Sequence, residues 1–167
     1  QVKDVTYGFV PRSLQNGGAP WPVLTQLAAE LEFRGSGMQV KGAMGQLVGA
    51  PRLQLRADAQ LPDFLAARLG VQGKVRGPLA DALAVVNGSP VTGLLNQALA
   101  RTTATGSADV DLQLALPLHE IARSQLQGTV TLPGNDVQVT PDSPMLQRVR
   151  GAVVFSDKGF QLQGAQA

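Results

Sequence analysis

The stretch RLQLRADAQL, residues 52–61, sets small and aliphatic side chains against polar ones without a break. Leu53, Leu55, Ala57, Ala59 and Leu61 fall on one side, and Arg52, Gln54, Arg56, Asp58 and Gln60 on the other. Successive side chains of a strand point to opposite faces of its sheet, so this period of two predicts a strand with one buried face. The pattern recurs in both directions. Leu69, Val71, Gly73 and Val75 alternate with Gln72, Lys74 and Arg76. Upstream, Leu27, Ala29, Leu31 and Phe33 oppose Ala28, Glu30, Glu32 and Arg34, and RGSG (34–37) turns the chain into a second strand carrying Met38, Val40, Gly42 and Met44 on one face.

Downstream, Val110, Leu112, Leu114, Leu116 and Leu118 form the next apolar row, followed by Leu126, Gly128, Val130 and Leu132. PGND (133–136) reads as a tight turn before a short strand at Val137 and Val139. Only residues 77–103 change character. Pro78 suits a first helical turn, and the apolar spacing becomes three and four up to Asn87-Gly88. Residues 90–103 suggest a second short helix. The expected fold is mostly β: a repeating, strongly curved antiparallel sheet, an open groove or half-barrel, with one or two short helices near 78–102.

The chain also repeats itself. Residues 21–43, WPVLTQLAAELEFRGSGMQVKGA, align without a gap on 143–165, SPMLQRVRGAVVFSDKGFQLQGA. Pro22, Leu24, Phe33, Gly37, Gln39, Gly42 and Ala43 match Pro144, Leu146, Phe155, Gly159, Gln161, Gly164 and Ala165, which marks an internal repeat. We therefore expect a lead-in strand or loop at 1–20, a first β-repeat at 21–76, a helical connection at 77–103 and a second β-repeat at 104–167. The closing GFQLQGAQA still alternates, so the second repeat is expected to be truncated and the chain to be a segment of a longer one.

Composition narrows the function. With no Cys, thiol catalysis and zinc–thiolate sites are excluded. The net charge is only +2 and the basic residues are scattered, so no nucleic-acid footprint forms; 4% aromatics leave few stacking platforms. The single His, His119, lies in PLHEIA, and without a second His the metalloprotease pattern cannot be completed. Asp109 and Asp111 share the polar face of a strand, where a solvated role is expected. NGS (87–89) is a chance-level acceptor pattern, and GSG (35–37) sits in a hairpin turn. Trp21 reads as a buried structural residue before a strand. No nucleophile, base and orienting group assemble, so the chain is expected not to be an enzyme and to need no cofactor or metal.

So many one-sided strands need a cover. The sheet can fold on itself as a sandwich, close into a barrel, or curl into a groove floored by something other than protein. The repeated unit, VNGSPVTGLL (86–95) and GSADVDLQLALPL (106–118) resemble the AsmA-like proteins of Gram-negative bacteria, and more narrowly their YhdP-type branch. The resemblance runs from about Trp21 to the end. It implies a periplasmic rod of curved sheet whose parent protein is anchored in the inner membrane. Phospholipid acyl chains would be carried in an apolar groove between inner and outer membranes, and further β-repeats would flank the segment.

On that reading the groove lining is expected to comprise Leu31, Phe33, Met38 and Val40 from the first hairpin and Leu53 and Leu55 from the next strand. Leu112, Leu114, Leu116 and Val130 would continue it, ending in Val153, Phe155, Phe160 and Leu162 of the second copy. The same residues could fill a closed core, so a structural or scaffolding β domain stays open as the alternative. Exposed sheet edges are expected to pair with a second copy.

Overall fold

The computed structural model describes residues 2–8 and 19–166; most of the expected lead-in at 1–20 lies outside them. The strands are β1 (Val2–Gly8), β2 (Val23–Arg34), β3 (Gly37–Leu47), β4 (Ala50–Leu61) and β5 (Arg68–Pro78). They continue as β6 (Thr103–Ala104), β7 (Ser107–Pro117), β8 (Gln125–Gln138), β9 (Leu146–Ser156) and β10 (Gly159–Gln166). All pair antiparallel in one sheet of order β1-β2-β3-β4-β5-β7-β8-β9-β10, with the short β6 beside the end of β8. β1 and β10 have no strand on their outer sides among the described residues, so the sheet is open. Two short helices, α1 (Leu79–Asn87) and α2 (Val91–Leu94), lie between β5 and β7.

The sheet is strongly curled. Three strands separate β2 from β7, which would hold them about 19 Å apart in a flat sheet. Trp21, just ahead of β2, nevertheless packs against Leu116 of β7. Bulges supply part of the bend, since an extra residue in one strand kinks it and increases its twist. They fall at equivalent places in the repeat. Gln26 (φ 52°) corresponds to Arg148 (φ 51°), and Gly42 (φ 58°) to Gly164 (φ 58°). Thus two copies of one sequence pattern carry the same two backbone distortions. In each copy a carboxylate takes up an amide displaced from the ladder: Gly42 N–H donates to Asp58 Oδ1 at 2.8 Å, and Arg148 N–H to Asp136 Oδ1 at 2.8 Å.

Three expectations are corrected. Met44 does not share a face with Met38 and Val40. The bulge at Gly42 inserts one residue, so Ala43 turns inward opposite Ala57, while Met44 stands opposite Arg56 on the polar side. PGND is not a turn but part of β8, with Pro133 opposite Arg150 and Asn135 opposite Val149. There the irregularity is absorbed by Gly134 (φ 141°), and the buried Asn135 amide donates to the carbonyls of Thr105 and Ser107. The second helix ends at Leu94, because Asn96 and Gln97 take positive φ and wind the chain into turns.

The polar face is held by cross-strand pairs. Arg76 binds Asp109, and Lys74 approaches Asp111 at 3.0 Å. The hydrogen bond from Arg76 holds the Asp109 carboxyl below the usual carboxylate range, and Lys41 and Arg34 do the same for Glu32. These contributions are present at neutral pH and are lost as pH falls through the lowered values; exposed pairs of this kind contribute little.

At Gly42 an added Cβ meets nothing within 4 Å, so substitution costs only backbone strain. Gly42→Ala is expected to destabilise the chain by about 1–2 kcal/mol, with Gly42→Asn milder. Urea denaturation of both variants measures this.

Candidate functional site

The strand register sorts the apolar side chains into rows running across the sheet. One row places Leu55, Val75, Val110, Val130, Val153 and Leu162 opposite one another on successive strands. A second runs Leu31, Val40, Ala59, Val71, Leu114, Leu126. Between them lies a row with small members: Ala57, Gly73, Leu112, Gly128, Phe155, Phe160. Phe33, Met38 and Leu61 are paired at one margin, where Leu69 also faces Leu116. Leu53 stands near the opposite margin, packed with Leu24, Leu47 and Val75. The expected lining residues therefore share one face.

They do not share one environment. Leu53 and Leu116 are each 1% exposed and covered by the chain's own side chains. Val40, Leu55, Leu112, Leu114, Val130 and Val153 are half-buried, as is Met38, and Phe155 is buried. Leu31 and Phe160 are exposed, and Phe33 and Leu162 are exposed to 67% and 66%. Burial thus decreases toward the β2–β3 turn and toward the β10 edge.

The cover over the middle is the helical connection. Leu79, Ala82, Val85 and Val86 recur on one side of α1, the spacing that buries one helix face. Leu79 packs with Ala108, Leu132 and Val149, while Ala82 and Val85 pack against the cluster around Leu53. Farther along, Leu95 packs with Leu126 and Phe155. The cover is pinned at its surface by Arg52, whose guanidinium donates to both carboxylate oxygens of Asp81, at 2.9 and 2.5 Å. Asn87 donates to the Leu99 carbonyl and Thr102 to that of Val139, closing the turns that follow. The sequence pattern shows α1 as amphipathic; that its apolar side caps the sheet, and that Trp21 joins the cap, depends on contacts far apart in the chain.

Beneath this cover the packing is incomplete. A cavity of about 190 Å³ is lined by Trp21, Leu55, Leu112, Leu114, Ala82, Val85, Phe155 and neighbouring apolar groups. Its one hydroxyl, Ser89 Oγ, donates to the Val86 carbonyl. Two larger open hollows, of about 710 and 800 Å³, lie on the opposite face and share Asp58, Gln72, Gln113 and Gln127. Hydrocarbon there would strip amides and carboxylates of water without replacement partners, at a cost of roughly 2 kcal/mol or more per group. The site able to hold an apolar guest is therefore the covered cavity and the apolar strips that flank it.

Gly128 has no side chain where β7, β8 and β9 meet: a Cβ there would collide with the Asp111 carbonyl oxygen of β7 and stand 2.7 Å from the Phe155 ring. His119 is exposed, with Nε2 3.3 Å from the Leu65 carbonyl. Among the described residues no group of three or more His, Asp or Glu side chains is placed to hold a metal, and no helix is long and apolar enough to cross a membrane.

A family model described as "YhdP protein" matches residues 1–167. The chain is 27% identical over 142 residues to the "Intermembrane phospholipid transporter YhdP" of Escherichia coli (strain K12), a match covering 84% of this chain and 11% of that protein. The segment therefore spans a small part of its relative's length. No solved structure matches.

Gly128→Ala is expected to force β8 away from the β7 backbone at Asp111 as well as displace Phe155, and to cost at least about 1–3 kcal/mol, the range for forcing extra volume into a packed site. Urea titration compared with the parent chain checks the magnitude, and a Phe155→Ala background should relieve only part of the penalty, because the collision with the Asp111 carbonyl of β7 remains.

Proposed function

Since the chain belongs to the YhdP family, we propose that it is a non-enzymatic segment of a phospholipid-transfer protein, with acyl chains moving along its apolar sheet face between the inner and outer membranes. The parent would be anchored in the inner membrane, this segment would lie in the periplasm, and flanking repeats would extend the sheet. The observation that carries the reading is a continuous apolar face on an open sheet which, among the described residues, the helices and Trp21 cover in part, leaving Phe33 and Leu162 exposed. The physical need is plain. Exposing the ~30 methylenes of a diacyl lipid to water costs on the order of 25 kcal/mol, and an apolar surface removes most of that barrier without any chemistry.

A second reading is favoured by the burial of Leu53 and Leu116 under side chains of the same molecule. In it the sheet is a self-filled scaffold that positions other envelope components.

The exposed lining residues separate the two. Leu162→Arg and Phe33→Asp change side chains that contribute little to the core, so each is expected to alter stability by less than about 0.5 kcal/mol. In the full-length protein, the transfer reading expects these variants to lower phospholipid movement to the outer membrane. Photo-crosslinkers at Phe33, Phe160 and Leu162 are expected to capture lipid in cells. Unchanged transfer together with absence of lipid adducts would leave the scaffold reading in its place.

A further inference from the structure

We propose that the covered cavity is an end pocket for the methyl terminus of one acyl chain, entered from the β10 edge past Phe160 and Phe155. The inference rests on the reading above that the apolar face meets hydrocarbon, and it adds where one chain stops and how much of it is held.

The cavity is only partly roofed, and its lining runs from the residues just ahead of β2 to β9. Trp21, 5% exposed and packed on Leu116, walls it at the side of β2. On the far side its lining ends at Phe155 of β9. Phe155 pairs directly with Phe160 of β10, their ring centroids 6.5 Å apart, and Leu162 follows on the same face of β10, mostly exposed. An apolar track therefore leads from open solvent at the sheet edge, past two adjacent rings, to the space beneath α1. The Arg52–Asp81 pair and the turns after α2 hold the roof in place over that space.

The size of the space selects the guest. An enclosed apolar cavity of ~150 Å³ stays dry and takes one benzene, so by proportion about 190 Å³ takes roughly seven or eight carbons. That is half of one long acyl chain, and far less than the two chains of a phospholipid. The small residues Ala57 and Gly73 on its floor provide the depth, since larger side chains at those positions would occupy it. The rest of the bound chain, and its sister chain, would lie along Phe160 and Leu162 with the headgroup in water.

The single Trp reports on this directly. The 167-residue chain is titrated with n-alkanoic acids of six to sixteen carbons below their micellar concentrations, following Trp21 fluorescence. Affinity is expected to rise about fourfold per methylene up to about eight carbons, then to flatten below twofold. An acid brominated at its terminal carbon should quench Trp21, and one brominated next to the carboxylate should not. Ala82→Leu, and separately Val85→Phe, should weaken binding at least tenfold while leaving the melting temperature unchanged or higher. The end pocket is overturned if affinity climbs fourfold per methylene through sixteen carbons, if both brominated acids quench equally, if the filled variants bind as the parent does, or if no acid binds. Lipid adducts at Phe33 and Leu162 in cells alongside any of those results would leave the transfer reading intact and remove only the pocket; their absence would remove the transfer reading itself.

Discussion

A strand places every second side chain on the same face, and here eight strands, β2–β5 and β7–β10, turn apolar rows to one side, bulges apart, while among the described residues the helical connection and Trp21 cover the part they reach. Everything else in the molecule follows from that mismatch. The connection between β5 and β7 lies back over the apolar face, from the margin at Leu53 across to Leu116 and Phe155, and these three are buried. It does not reach the β2–β3 turn or the β10 edge, where Phe33 and Leu162 stand largely in water. Single exposed apolar residues are ordinary on any protein surface. Rows of them, continuous with a buried apolar face, are a different matter and point to a partner.

Curl is what makes the face enclosing, and it is encoded twice. Gln26 and Arg148, and likewise Gly42 and Gly164, hold the same left-handed backbone at equivalent points of the repeat. Each pair bends two strands, and an Asp side chain satisfies an amide at Gly42 and at Arg148. The repeat is thus more than a matching set of letters, because it reproduces a bend. Stacked copies of one bend give a surface of constant curvature, the property that lets a repeating protein line a long path. The opposite face is kept soluble by glutamines and by pairs such as Arg76–Asp109.

Antiparallel order, the apolar face and the place of the helices were legible in the sequence because they rest on local periodicity. The failures have local causes as well. Met44 faces the polar side because Gly42 adds one residue to β3, and alternation alone carries no record of a bulge. PGND looks like a turn, yet Asn135 is drawn into β8 by the carbonyls of Thr105 and Ser107, some thirty positions away. The covered cavity was not legible at all: it depends on α1, Trp21 and Phe155 meeting across the sheet. Alternation gave the expected lining its common face, but it could not separate Leu53 from Leu162, since both obey the same period and only the roof distinguishes them.

The central claim is that part of the apolar face is covered by the chain and the remainder by hydrocarbon. It is tested most directly by recovering the segment from Gram-negative envelopes without detergent and weighing it intact by native mass spectrometry, with extraction and identification of any bound lipid. The account predicts stoichiometric diacyl phospholipid on the recovered protein. A bare, monodisperse monomer that stays soluble with no bound amphiphile would contradict it.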